Sequence, residues 1–156
     1  NLPLLVDAVG PEGRVIGVDL TDAMLEKARE RVAAAGWANV ELVESDAAAF
    51  DFPSGTGGVL SMLALTLVPE YDDIVRRGAE ALRPGGRIAI FDMKEPASWP
   101  RWLVRLVAWL NRPFGVSMDL ADRHPWESVR GYLREIDFRE LHGGALYLSV
   151  GERPAD

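Results

Sequence analysis

The sequence predicts an α/β fold in which a mostly parallel sheet carries helices on both faces and ends in an antiparallel β-hairpin. Short apolar runs alternate with longer amphipathic segments three times, which is the pattern of a parallel sheet with crossover helices. Near the end of the chain only Gly143-Gly144 separates the runs 138–142 and 145–150. A two-residue glycine loop favours a tight turn between antiparallel strands, so the hairpin closes the sheet.

The first elements are a helix and a strand. The segment from Leu2 to Val9 is apolar and reads as the remainder of a helix, which Gly10-Pro11 ends. The β-branched run 14–19 then indicates a buried strand. Thr21 is expected to cap the following helix, because its hydroxyl can accept a hydrogen bond from a free backbone N–H.

The next segments are a helix and two strands separated by a loop. Apolar residues recur every three to four positions from Met24 to Val32, which predicts a helix that ends at Gly36. The next strand is predicted at 40–43. The glycine-rich segment 51–58 is a loop, and 59–64 is a strand.

The remaining elements complete the alternation. A helix is predicted at 70–82, and Pro84-Gly85-Gly86 turns the chain into the strand 87–91. A Trp-rich helix at about 98–111 and a second helix near 126–135 precede the hairpin.

Composition limits the classes of function. A formal net charge of -7 argues against general nucleic-acid binding, because phosphate recognition needs clustered Lys and Arg. The chain contains no cysteine, which excludes disulfides, thiolate zinc sites and cysteine nucleophiles; we expect no metal site. No apolar run reaches 18 residues and no signal peptide is visible, so a cytoplasmic location is expected. The length fits a single domain, 1–156.

Two acidic residues follow predicted strands, where ligands bind in an open α/β sheet. Asp19 ends the strand 14–19, and its carboxylate can accept hydrogen bonds from both hydroxyls of a ribose; the alternative is a helix-capping or solvated Asp. Asp46 follows the strand 40–43 and can accept from an adenine amino group, while Ala47 leaves room for the ring. The alternative for Asp46 is an ordinary polar loop residue.

The later strand ends offer fewer candidates. The strand 59–64 ends without charge and reads mostly as core, with the Ser61 hydroxyl and main-chain carbonyls as its polar groups. Asp92 and Lys94 point toward the substrate side or pair with each other. The only histidines are His124 and His142, and lone histidines are more often structural. The general base therefore stays open, with His124, Asp92 and His142 as candidates. No protease, serine-hydrolase or P-loop motif is present.

The segment 98–116 is expected to form a helical cap or lid with one apolar face. Arginines lie off that face. The stripe fits three interpretations: packing on the sheet, a lid over an apolar substrate, or peripheral contact with a membrane interface. The apolar positions are Trp99, Trp102, Leu103, Leu106, Val107 and Leu110, and the arginines are Arg101, Arg105 and Arg112.

These residues carry a family resemblance. Gly17-Val18-Asp19-Leu20 followed by Ala23-Met24-Leu25-Glu26-Lys27-Ala28 resembles the second motif of class I S-adenosylmethionine-dependent methyltransferases. Glu44-Ser45-Asp46-Ala47 and Leu82-Arg83-Pro84-Gly85-Gly86-Arg87 resemble later motifs in the same order. The chain is most similar to the ubiquinone/menaquinone-biosynthesis methyltransferase group, which also closes with a strand, a short glycine-containing turn and a strand. The resemblance covers nearly the whole chain and implies a Rossmann-like fold.

The resemblance implies a methyltransferase that uses S-adenosyl-L-methionine. It implies that Asp19, in the pair Asp19-Leu20, binds the cofactor ribose and that Asp46 and Ala47 line the adenine. It implies that Ser61-Met62 touches the methionine portion. The acceptor is then a small molecule, apolar or aromatic, methylated by in-line displacement. The acceptor itself, the methylated atom and the oligomeric state stay open.

Two departures from the family pattern bear on this interpretation. The glycine-rich first motif is expected just before Asn1, so the first strand is missing and the domain is N-terminally incomplete. Gly57-Gly58 stands where the family often has Phe-Asp. The alternatives are an NAD(P)-dependent Rossmann oxidoreductase, whose second strand also ends in an acidic residue, and a degenerate non-catalytic binding module. The terminal hairpin argues against the oxidoreductase.

Overall fold

The computed structural model describes residues 1–96, 99–100, 102, 106, 109–110 and 122–155. The chain forms two compact units, Asn1–Asp51 and Phe52–Asp156, which are described in turn.

The first unit holds a two-stranded parallel sheet with two helices. Val15 lies opposite Val40 and Asp19 lies opposite Glu44, so both strands end at the same edge. Leu25 is the buried residue of the second helix. The elements are α1 (Leu2–Val9), β1 (Val15–Asp19), α2 (Asp22–Ala35) and β2 (Val40–Glu44).

The ends of α2 differ in how well the sequence predicts them. Gly36 follows the helix with φ 66°, in the left-handed conformation that glycine adopts without strain, as predicted. Thr21 occupies the N-cap position, but its hydroxyl makes no capping hydrogen bond. Instead, its backbone N–H donates to Asp19 Oδ1 at 2.8 Å. The predicted capping role of the Thr21 hydroxyl is therefore wrong.

The second unit holds a four-stranded mixed sheet. Its elements are β3 (Thr56–Met62), α3 (Tyr71–Ala81), β4 (Leu82–Met93), α4 (Pro125–Tyr132), β5 (Arg134–Leu141) and β6 (Leu146–Glu152), and a 3-10 turn at Leu65–Leu67 follows β3. The strand order is β3-β4-β6-β5, with β3 parallel to β4 and β6 antiparallel to both neighbours. The predicted antiparallel hairpin is confirmed, and its second strand lies inside the sheet.

Several boundaries differ from the sequence prediction. β3 begins at Thr56, so Gly57-Gly58 lies in a strand rather than a loop. β5 begins at Arg134, four residues before the predicted start, because its charged edge positions conceal the strand pattern. The hairpin turn is the 3-10 segment His142–Gly144, in which Gly143 and Gly144 have φ 68° and 90°. The turn is thus longer than two residues, although both glycines serve it as expected.

The helices α3 and α4 contact each other and the sheet, which places the core between them. Side chains from all three parts are almost inaccessible to solvent. They are Ile74, Val75, Ile88, Ile90, Val129 and Tyr147.

The Trp-rich segment lies mostly outside the described residues. Three of its predicted apolar positions, Trp102, Leu106 and Leu110, are helical and exposed, and so is Trp109, which was not among those positions. Within the described ranges, every helix is too short or too polar to span a lipid bilayer.

Gly151 of β6 provides a test of the packing. A Cβ atom there would lie 2.6 Å from Cγ1 of Val129, which is in α4, and 2.8 Å from Cβ of Leu133, which follows α4. We expect Gly151→Ala to lower the free energy of unfolding by about 1–3 kcal/mol, because overpacking forces neighbours to shift. Gly131→Ala is the matched control, since a Cβ atom at that position would lie more than 4 Å from the described residues around it and helix propensity favours Ala. Urea denaturation that gives equal stabilities for the two variants contradicts the packing described.

Candidate functional site

The first unit brings Asp19 and the segment 44–47 together. Parallel pairing sets Asp19 opposite Glu44, and the Ser45 N–H donates to the Asp19 carbonyl at 3.1 Å. Two positions that are well separated in the sequence therefore meet at one edge of the sheet, where open α/β sheets bind ligands. This edge is the candidate cofactor site of the unit.

Asp19 is half-buried and keeps part of its carboxylate available. Its Oδ1 accepts from the Thr21 N–H at 2.8 Å, which fixes the side chain at the start of α2. Within the described part of the chain, no donor reaches Oδ2. A held carboxylate with an uncommitted oxygen suits a ligand hydroxyl. The neighbouring Leu20 is exposed and offers an apolar surface beside it.

Asp46 organises a turn. Its Oδ1 accepts from the Ala48 N–H at 2.9 Å, and its carbonyl accepts from the Ala49 N–H at 2.9 Å and from the Ser45 hydroxyl at 3.0 Å. The Asp46 carboxylate thus stabilises the turn, as a polar loop residue does, and the residue remains exposed. Ala47 is half-buried in the same turn. Both interpretations of Asp46 from the sequence are compatible with this geometry.

The carboxyl end of β3 carries Ser61, Met62 and an unexpected turn. Ser61 is half-buried and Met62 is exposed. Leu63, which follows, has φ 53°, and its N–H donates to the Phe91 carbonyl at 2.8 Å. A left-handed non-glycine residue costs about 1–2 kcal/mol, and such residues cluster at ligand sites. The sequence gives no signal for Leu63, because leucine has no preference for this conformation.

Asp92, at the end of β4, is turned inward. Its carboxylate is fully buried, with Oδ2 accepting from the Thr66 N–H at 3.0 Å and Oδ1 from the Met93 N–H at 2.8 Å. Burial raises the pKa of the Asp92 carboxyl, and these hydrogen bonds oppose the shift. The predicted alternative of an Asp92–Lys94 pair is wrong, because Lys94 pairs with Glu140 and lies over the Trp126 ring at 5.2 Å.

Tyr147 is a buried neighbour of Asp92 that the sequence analysis did not identify. It lies opposite Asp92 in the β4–β6 ladder. Burial raises the pKa of the Tyr147 hydroxyl, and the charge of Asp92 raises it further. Among the residues described, this hydroxyl has no partner at hydrogen-bonding geometry. In the sequence Tyr147 resembles any aromatic residue of an alternating strand, so only the register reveals it.

The two histidines occupy different places. His124 precedes α4, with its ring 4.7 Å from that of Trp126 and its Nδ1 3.6 Å from Glu127 Oε1. His142 is exposed in the hairpin turn. Their roles as general bases stay predictions. No group of three or more potential metal ligands occurs in the described ranges.

The chain is similar to proteins of one known family. Residues 1–86 match the family model described as Methyltransferase domain. A demethylmenaquinone methyltransferase of Listeria monocytogenes is 34% identical over 100 residues, covering 64% of this chain and 42% of that protein. An arsenite methyltransferase of Halobacterium salinarum is 38% identical over 98 residues, covering 62% and 25%. The chain therefore spans less than half the length of these relatives.

Solved structures agree on the fold. The crystal structure of a SAM-dependent methyltransferase from Aquifex aeolicus matches with a TM-score of 0.63 and 21% identity, covering 97% of this chain and 74% of that one. At this identity the likeness supports a common Rossmann-like fold.

The buried Asp92 predicts a pH dependence. Because its folded-state pKa lies above the ordinary value of 3.8, the folded protein binds more protons there than the unfolded chain between the two values. The contribution of Asp92 to stability therefore falls as pH rises from about 3.8 through the raised pKa. We expect the stability of the wild type relative to Asp92→Asn to decrease over that interval, as measured by urea denaturation. A difference that is constant or grows with pH contradicts this assignment.

Proposed function

The chain belongs to the Methyltransferase domain family, and from this premise we propose that the protein transfers a methyl group from S-adenosyl-L-methionine to a small apolar or aromatic acceptor. The observation that carries the proposal is the half-buried Asp19 carboxylate at the carboxyl end of β1, with one oxygen fixed by Thr21 and the other uncommitted among the described residues. A ribose diol needs such an acceptor.

In the first unit, the proposal assigns the adenosine contacts to the carboxyl ends of β1 and β2. Asp19 accepts hydrogen bonds from the ribose hydroxyls, and Leu20 provides an exposed apolar surface beside them. Asp46 and Ala47 line the adenine from the turn after β2. The Ser45–Asp19 hydrogen bond supports this assignment, because it ties the two strand ends together.

In the second unit, the proposal assigns contacts with the methionine portion of the cofactor to the end of β3. Ser61 and Met62 are the last residues of β3 and offer a half-buried hydroxyl, main-chain groups and an exposed thioether. The strained Leu63 immediately after them supports a ligand role for this strand end, because local strain persists where the surroundings impose it.

The proposal includes a glycine-rich strand and turn upstream of Asn1, as the resemblance implies. The relatives are longer than this chain. In the part that the structure describes, β1 pairs only with β2 and β3 pairs only with β4, so each keeps one free edge. A free strand edge can pair with a further strand, which is compatible with the single methyltransferase domain proposed here.

In the proposed reaction, the main role of the chain is to orient its ligands. When bound, the cofactor supplies a methyl carbon that its sulfonium already activates toward displacement. Holding two reactants in line can supply roughly 7–11 kcal/mol. An acceptor that must lose a proton needs a base, for which His124, His142 and Asp92 are the candidates. The buried Asp92, with both oxygens engaged, suits direct proton removal least.

The acceptor class is proposed from two observations. One relative is named for demethylmenaquinone, an apolar aromatic compound. Exposed Trp102 and Trp109 add apolar aromatic surface to this chain. The oxidoreductase alternative is not proposed, because the matched relatives are methyltransferases.

We also propose a cytoplasmic location with peripheral contact to an anionic membrane surface. Trp102, Leu106 and Trp109 follow the i, i+4, i+7 spacing of one helical face and are 66%, 43% and 63% exposed. The sequence 96–118 contains three arginines and no acidic residue, in a chain whose net charge is -7. Exposed tryptophans flanked by arginines suit the headgroup region.

The cofactor assignment predicts the effect of Asp19→Asn. The amide retains an oxygen for the Thr21 N–H but replaces the second acceptor with a donor. We expect the affinity of the full-length protein for S-adenosylhomocysteine to fall about tenfold to a hundredfold by calorimetry, since hydrogen bonds to charged groups contribute about 1.5–3 kcal/mol. Asp22→Asn is the control, because that exposed carboxylate pairs with Arg29 at 3.1 Å. Unchanged affinity in Asp19→Asn removes the main support for the proposal.

The membrane proposal predicts partition onto vesicles. We expect the full-length protein to sediment with vesicles of equal parts phosphatidylglycerol and phosphatidylcholine, and less with phosphatidylcholine alone. Trp102→Ala/Trp109→Ala should lower the partition coefficient about tenfold or more, because the exposed rings no longer enter the interface. The control Ile136→Ala/Leu141→Ala removes two apolar groups of β5 that are each 40% exposed, and it should have no effect. Equal partition of both double variants counts against the proposal.

A further inference from the structure

The segment from Leu63 to Leu67 connects the end of β3 to the rest of the second unit in a constrained conformation. It begins with the left-handed Leu63 and continues into the 3-10 turn Leu65–Leu67. A strained residue is retained only when its surroundings hold it there. The contacts that hold this segment therefore identify the residues that set its conformation.

Thr66 is the principal anchor of the segment. It is buried, and each of its polar groups has a partner. Its N–H donates to Asp92 Oδ2 at 3.0 Å, its hydroxyl donates to the Met93 carbonyl at 3.3 Å, and its carbonyl accepts from Arg123 Nη1 at 3.0 Å. Thr66 thus joins three parts of the chain: the segment after β3, the end of β4, and the residues that lead into α4.

The Asp92 carboxylate is costly for the fold. It is fully buried and accepts hydrogen bonds from the Thr66 and Met93 N–H groups. The Thr66 hydroxyl and the Ala64 backbone also help to lower its pKa, but within the described residues no cationic side chain does so. Burying a carboxylate without a counter-charge lowers stability, and apolar replacements of buried charges are often neutral or stabilising. A contribution to stability therefore does not explain why an aspartate occupies this position. Its ability to accept a hydrogen bond on each oxygen, from the Thr66 and Met93 N–H groups, does explain it.

We propose that Asp92 and Thr66 are positioning residues, which hold Leu63–Leu67 in the conformation that presents the end of β3 to the methionine portion of the cofactor. This inference rests on the proposed function. Asp92 acts through Thr66 rather than on the substrate, since its oxygens are engaged by the backbone. The assignment gives Asp92 a role different from that of a general base.

Three variants and a control separate positioning from general stability. Asp92→Asn replaces one of the two acceptor oxygens with a donor, which strands one N–H. Thr66→Val keeps the shape and removes the hydroxyl, while Thr66→Ser restores it. Ser149→Ala is the control, because Ser149 is equally buried in β6 and its hydroxyl has no partner among the described residues. All are made in the full-length protein and studied well below their Tm values.

Two measurements are made on each variant. We expect Asp92→Asn and Thr66→Val to weaken S-adenosylhomocysteine binding about tenfold or more by calorimetry, a loss of about 1.4 kcal/mol per factor of ten. The amides of 63–67 should exchange with deuterium faster in the same two variants. Thr66→Ser should stay within about threefold of the wild type, and Ser149→Ala should match it.

The outcomes are distinguishable. If Asp92→Asn and Thr66→Val lower Tm but bind S-adenosylhomocysteine as the wild type does, the residues are merely structural and the inference is overturned. Unchanged exchange at 63–67 overturns it as well. A wild-type protein that does not bind S-adenosylhomocysteine refutes the proposed function itself, and the exchange data then still report whether Asp92 and Thr66 hold the segment.

Discussion

Parallel pairing places the carboxyl ends of neighbouring strands at one edge of a sheet, and the functional residues proposed in both units lie at such edges. Asp19 and Glu44 end β1 and β2 in register, which brings Asp46 and its turn beside Asp19. Met62 lies opposite Phe91 in the β3–β4 pair, so Asp92 follows directly at the same edge. Residues distant in the sequence become neighbours through strand pairing alone.

Asp19 and Asp92 both lie at such edges, but their different environments give them different roles. Asp19 is half-buried and commits one oxygen to the Thr21 N–H, which orients the side chain and leaves acceptor capacity for a ligand. Asp92 is fully buried and commits both oxygens to the backbone. The first arrangement suits binding, and the second suits the support of a loop. The raised pKa of Asp92 reflects the cost of that support.

The sequence predicts features that depend on local patterns. Alternating runs indicate parallel pairs, Gly36 marks the end of α2, and Gly143-Gly144 marks the hairpin turn. The sequence does not predict features that depend on tertiary partners. The Thr21 hydroxyl makes no capping hydrogen bond to α2, although Thr is a favourable capping residue. Lys94 pairs not with Asp92 but with Glu140, a β5 residue 46 positions away in the sequence. Leu63 has no residue preference for its conformation, so no pattern could reveal it.

The most direct test of the proposed cofactor site is thermal denaturation of the full-length protein with and without S-adenosylhomocysteine. A ligand that binds only the folded state adds about 2.7 kcal/mol of stability at about a hundred times its Kd. A saturable rise in Tm with ligand concentration is the predicted result. A Tm that does not change up to millimolar ligand contradicts a binding site at these strand ends.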